Sequence, residues 1–170
     1  MTSPPEPWLR GAIPGIPALL QPAAHAFQMA LEDTERVVEG LTPDQLWREP
    51  GGAASVGFHL RHLAGSTDRL LTYARGERLS PAQRGAVAAE SAADSRPPLA
   101  ALLEGWSTTV HCALQQLAAT PEAALLEARA VGRAQLPSTV IGLLFHAAEH
   151  ASRHTGQLVT TAKIVSGLGL

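Results

Sequence analysis

The sequence predicts an all-α protein, an antiparallel four-helix bundle with a long connection between its second and third helices. Three observations carry this prediction. Apolar residues recur every three to four positions over four long segments. Proline falls at or between the ends of those segments. No stretch alternates Val, Thr and Ile over a strand's length. A chain of 170 residues, 45% apolar and 16% charged, is long enough to close such a bundle over one core without staples.

The elements follow in order. Residues 1–17 carry Pro4, Pro5, Pro7, Pro14 and Pro17 and are expected to form an irregular arm, with residues 18–166 as a single domain. Leu19, Leu20, Ala23, Phe27, Ala30, Leu31 and Val37 trace a helical stripe over about 18–40, with Pro22 near the first turn. Gly40 and Thr42-Pro43-Asp44 end that helix, Gln45-Leu46-Trp47 makes a short turn, and Pro50-Gly51-Gly52 a loop. Ser55 is an expected N-cap for a second helix that stops by Gly76. Residues 77–98 read as a long, polar and Ala-rich connection with room for one helical turn. A third helix opens at Pro98 and runs to about Ala119, with Leu102, Leu103, Trp106, Val110, Ala113, Leu114 and Leu117 inward. Residues 120–136 carry no assignment beyond Gly132, which breaks any helix there, and Ser138 is expected to cap a last helix from Thr139 to about Val165.

Composition excludes several functions. Thirteen basic against fifteen acidic side chains leave a formal charge of −2, without the basic footprint of a nucleic-acid binder. One cysteine, Cys112, excludes a disulfide framework and reads as a small buried apolar residue. Trp8, Trp47 and Trp106 read as packing residues. The first residues contain no apolar core of a secretory signal, and no segment approaches a membrane span, so the expected location is the cytoplasm.

Five of the seven histidines fall in two short windows. His146, His150 and His154 stand at i, i+4 and i+8 on the last helix, one slowly drifting stripe whose neighbours are about 5–6 Å apart at Cβ. His59 and His62 stand at i and i+3 on the second helix. Two imidazoles at such spacing can share one ion, and a facing helix must supply the third donor. The competing reading is a set of hydrogen-bonded structural histidines. The spacing alone fits His146/His150 as well as His150/His154. His146-x-x-Glu149-His150 matches the inverted zinc-peptidase motif, but no Asp or Glu follows Glu149 to complete it, and Glu149 is expected to pair with Arg153. Neither cluster has the Glu-x-x-His pattern of a di-iron carboxylate site.

Leu41-Thr-Pro-Asp-Gln-Leu-Trp47, the Gly51-Gly52 loop and Ser55-Val-Gly-Phe-His-Leu-Arg-His62-Leu-Ala64 resemble the first half of the DinB/YfiT-like family. His150-Ala-Ser-Arg-His154-Thr-Gly-Gln157-Leu158 resembles its last-helix signature. The resemblance spans roughly residues 20–165. It implies a four-helix bundle with a divalent metal on three histidines, here His62, His150 and His154, leaving His146 and His59 beside them. Where the family often has an arginine after the final histidine, this chain has Thr155. Zinc is the expected ion, with nickel or iron as alternatives. The resemblance also implies a small-molecule substrate, since some members transfer low-molecular-weight thiols such as bacillithiol or mycothiol and one branch isomerises maleylpyruvate with mycothiol. The expected reaction is therefore thiol-dependent S-transfer to a small electrophile. The alternatives are a hydrolase using a metal-bound water and a non-enzymatic metal-binding or interaction module. Glu149 and Gln157 are the candidate catalytic residues, with Arg61 as a further orienting group and Ser66, one turn beyond His62, expected to face the cavity. No nucleic-acid or membrane partner is expected. A homodimer is plausible for such a family, with the apolar tail Leu168-Gly169-Leu170 as a contributor.

Overall fold

The computed structural model describes residues 4–90 and 96–167, so the tail Leu168-Gly169-Leu170 lies outside the described residues. Four long helices dominate: α1 (Gln21–Val38), α3 (Val56–Ala74), α5 (Leu99–Ala119) and α6 (Val140–Gly167). Two shorter ones, α2 (Pro43–Leu46) and α4 (Pro81–Glu90), and a hairpin of β1 (Ala128–Val131) and β2 (Leu136–Thr139) lie between them. Around the bundle, α6 packs on α1 and α3, and α5 packs on the same two. The all-helical bundle is as expected.

Local chemistry explains the boundaries. The Thr42 hydroxyl accepts from the Gln45 amide and the Gln45 side chain accepts from the Thr42 amide, a reciprocal cap for α2. The Ser55 hydroxyl accepts the Phe58 N–H at 3.1 Å and starts α3, as predicted. Gly40 turns the chain out of α1 at φ 78°. Phe27, Leu60, Leu63, Trp106, Leu117, Leu144 and Leu158 are fully enclosed at the bundle axis. Trp106 donates its indole N–H to the Thr34 hydroxyl at 3.1 Å, and Thr34 donates to the Leu31 carbonyl at 2.8 Å, so this fully buried polar pair is satisfied.

Several expectations are corrected. The stretch 77–98 contains a ten-residue helix, α4, and not a single turn. Ser80 and Gln83 cap it reciprocally, with Pro81 in its first turn. The region 120–136 leads into a hairpin, turned by Gly132 at φ 68° and Gln135 at φ 50°. Its strands are only four residues long, too short for alternation to declare itself. Thr139, not Ser138, meets the start of α6: its hydroxyl accepts the Gly142 N–H at 3.1 Å. Cys112 is exposed, because it sits off the Leu102–Trp106–Val110–Ala113–Leu117 stripe of α5. Trp8 is 56% exposed and holds Glu6 at 2.6 Å, so it is not a core residue. The arm is tied to α1 by the Gln21 side chain on both backbone groups of Ile13, by Arg10 on Glu32, and by His25 on the Gly11 carbonyl.

Candidate metal centre

Two helices build the centre. The Ser55 cap sets the start of α3, which turns His59 and His62 toward α6. Gly57 lets the Trp47 ring lie directly on the helix; a Cβ there would sit 2.8 Å from three ring carbons. The antiparallel packing of α3 on α6 sets His59 opposite His154 and His62 opposite His150.

The rings converge. His62 Nε2 and His150 Nε2 are 3.0 Å apart. The His154 ring centroid lies 4.4 Å from that of His62 and 4.5 Å from that of His150. One nitrogen from each of the three lies within 4.8 Å of the others. Two imidazole nitrogens bound to one ion at about 2.0–2.1 Å stand about 3–3.4 Å apart, so the His62–His150 separation already matches shared ligation. The nitrogens on the far side of two rings are engaged. His62 Nδ1 meets Glu90 Oε2 at 2.9 Å, and Glu90 Oε1 accepts from Arg69 at 2.5 Å. His154 Nδ1 meets His59 Nδ1 at 3.2 Å. With His62 Nδ1–H donating to the carboxylate, its Nε2 is left as the unprotonated donor, which is how outer partners orient ligating histidines. Phe58 stacks on the His62 ring, centroids 5.6 Å apart and planes within 7°.

The electrostatics favour ligation. Burial, then the neighbouring His154 and His62, pushes His59 down to about 4. Burial, then His154 and His62, does the same to His150, also to about 4. His154 is lowered too, by burial first and then by His62 and Arg153, against the opposing pull of Glu149. These rings are therefore neutral near pH 7, the form that binds a cation. Burial alone would raise the Glu90 carboxyl, but the hydrogen bonds and charges of His62 and Arg69 outweigh it and hold Glu90 below the usual carboxylate range. The donor set fits a divalent ion: three imidazoles in front and one carboxylate charge behind.

The other expected site residues lie around this centre. His59 is buried, 4% exposed, and supports His154. His146 stands at the rim with its ring centroid 5.6 Å from that of His150 and its Nδ1 3.3 Å from Glu149 Oε2; its side chain is half-exposed. Glu149 pairs with Arg153 as the i+4 spacing predicts. Gln157 is exposed, three residues beyond His154. Ser66 is buried and donates to the His62 carbonyl at 2.6 Å, so its hydroxyl serves its own helix. The Arg61 guanidinium lies over the Trp47 ring at 5.2 Å. Glu90 and Arg69 escape sequence reasoning altogether. The signal was Ser80-Pro81-Ala82-Gln83, a capping box that starts α4 and so carries Glu90 one helix length back along α3.

A family model described as the DinB superfamily matches residues 26–158, from α1 through the histidines of α6. The chain belongs to the DinB superfamily. No curated protein matches it. The match includes every residue of the centre, Glu90 and Arg69 among them, and leaves the N-terminal arm outside. This DinB protein thus presents a three-histidine cluster able to hold a metal ion. Among its described residues, no helix is long and apolar enough to cross a membrane.

Proposed function

We propose that the protein is a metal-dependent enzyme that transfers a small thiol to a small electrophile at His62, His150 and His154. The observation that carries this reading is the gathering of three imidazoles from α3 and α6, within 4.8 Å of one another, on one carboxylate-backed site that is only partly buried. Three protein donors leave room for a further ligand, as catalytic sites do and closed structural sites do not. A divalent ion bound there supplies positive charge that lowers the pKa of a thiol or water beside it.

The chain's own residues do the rest. Glu90 holds the His62 Nδ1 proton and fixes the ring, while Arg69 fixes Glu90. His59 orients His154 from the buried side. At the rim, Glu149 steadies His146, whose half-exposed ring is placed to carry a proton to or from solvent. Gln157 is available to orient a polar group of the substrate. Thiol use is supported by the superfamily's thiol S-transferase branches.

The test begins with elemental analysis of purified protein. Metal-loaded protein is then incubated with cysteine and monochlorobimane, and separately with p-nitrophenyl acetate without thiol. Thioether formation that requires both metal and thiol is the expected result. Turnover of the ester alone, with no thiol adduct, overturns the transferase reading in favour of hydrolysis. Stoichiometric metal with no turnover of either overturns both.

A further inference from the structure

A second concave site lies at the other end of α4. A cleft of about 800 Å³ opens between the end of α3, the first turns of α4 and the hairpin. Tyr73 in its wall is eleven positions beyond His62 on α3, about 16 Å of helix rise, so the cleft is separate from the histidines. Its volume falls within the range of small-molecule sites.

The charges in it are one-sided. Arg78, Arg84, Arg129 and Arg133 line the cleft, with Glu77 as its acidic residue. The Glu77 carboxylate is occupied by Arg75 at 2.9 Å, and this holds its pKa down. Arg129 is spent on structure: it donates to the Ala74 carbonyl at 2.8 Å, to the Ala128 carbonyl at 2.9 Å and to Glu127 at 3.0 Å. Arg84 gives an N–H to the Leu79 carbonyl. Arg78 and Arg133 donate to no acceptor among the described residues. These guanidinium groups stand beside an apolar surface. Tyr73 and Leu79 are half-buried there, and Val87 is 46% exposed, one of the larger apolar side chains left open to solvent. A cationic rim over an apolar wall, in a chain whose net charge is −2, is matched to a compact organic anion.

We propose that this cleft binds a small anionic molecule, a phosphate or carboxylate head on a short apolar body, with Arg78 and Arg133 taking the head and Tyr73, Leu79 and Val87 the body. The inference does not depend on the reaction assigned to the histidines.

The protein carries its own reporter. Tyr73 is its one tyrosine, so the tyrosine ring resonances read occupancy of the cleft directly. Full-length, chelator-treated protein is titrated at low salt with phenyl phosphate and, in parallel, with benzoate. At least one is expected to shift the Tyr73 signals saturably with one-to-one stoichiometry, and the tighter one identifies the head group. The Arg78→Ala/Arg133→Ala double variant should weaken binding about tenfold or more, the loss expected for paired guanidinium contacts. His150→Ala should leave binding unchanged. Circular dichroism melts establish that both variants are folded. The proposal is overturned if neither probe moves Tyr73, if the folded double variant binds as tightly as the parent, or if His150→Ala abolishes binding, which would move the anion to the histidines.

Discussion

The two ends of α4 use arginine in opposite ways. At its C-terminal end, Arg69 is closed off by Glu90, which in turn holds His62, so the cation serves an internal chain that finishes at a metal ligand candidate. At its N-terminal end, Arg78 and Arg133 face a cleft whose acidic residue already has a partner. The contrast shows that one residue type is made structural or receptive by whether the protein supplies the matching carboxylate. A partly buried acid completes the first site and leaves it to accept a cation. Its lack in the second leaves a surface that accepts an anion.

The comparison can be broken at either end. The largest effect is expected from His62→Ala or His150→Ala, which should abolish stoichiometric metal by elemental analysis and remove the rise in melting temperature that added zinc gives the parent protein. Removing the carboxylate by Glu90→Ala should weaken metal binding about 10–100-fold in a competition titration with a chromophoric chelator, the usual cost of losing an outer partner of a ligating histidine. Gly65→Ala probes the same link without deleting it. The added Cβ would lie 2.5 Å from Glu90 Oε1 and 2.9 Å from the Arg69 guanidinium. Both are ends of flexible side chains that can give way, so metal affinity should fall several-fold with little change in the thermal melt. A pH series on the metal-free protein gives a smaller readout. His59 and His150 titrate at about 4 when folded against a usual 6.5. The unfolded chain therefore binds more protons between these values, so stability is kept above pH 6.5 and lost as pH falls toward 4, measured as a declining melting temperature. The smallest effect is expected from Arg78→Ala/Arg133→Ala, which should leave metal content unchanged; a loss of metal there would mean that the two ends are not independent.

Much of this was legible in the chain. Periodicity locates α1, α3, α5 and α6, and Ser55 marks the start of α3 because a capping hydroxyl acts within three residues. Even α4 was announced by Ser80 and Gln83, a signal outweighed by the small, polar look of its neighbours. Cys112 shows where residue character misleads: a side chain that is often buried lies outside because the stripe of α5 passes beside it. On α6, three histidines at equal spacing are indistinguishable in sequence, yet His150 and His154 meet His62 while His146 stays at the rim.

By itself, the order of residues determined where the four long helices run, where α3 begins, and that imidazoles would lie in rows on two of them, because caps and periodicity act over a few positions along one strand of chain. Only the tertiary structure decided which members of each row meet. A four-residue step drifts by about 40° around the helix, and the line along which α3 and α6 touch selects the ring that faces inward. The same holds for Glu90, 28 positions from His62, and for the arginine cleft assembled from α3, α4 and the hairpin. Contacts made through space between distant segments leave no local pattern, so folding alone places the carboxylate behind the histidine and the cations around the cleft.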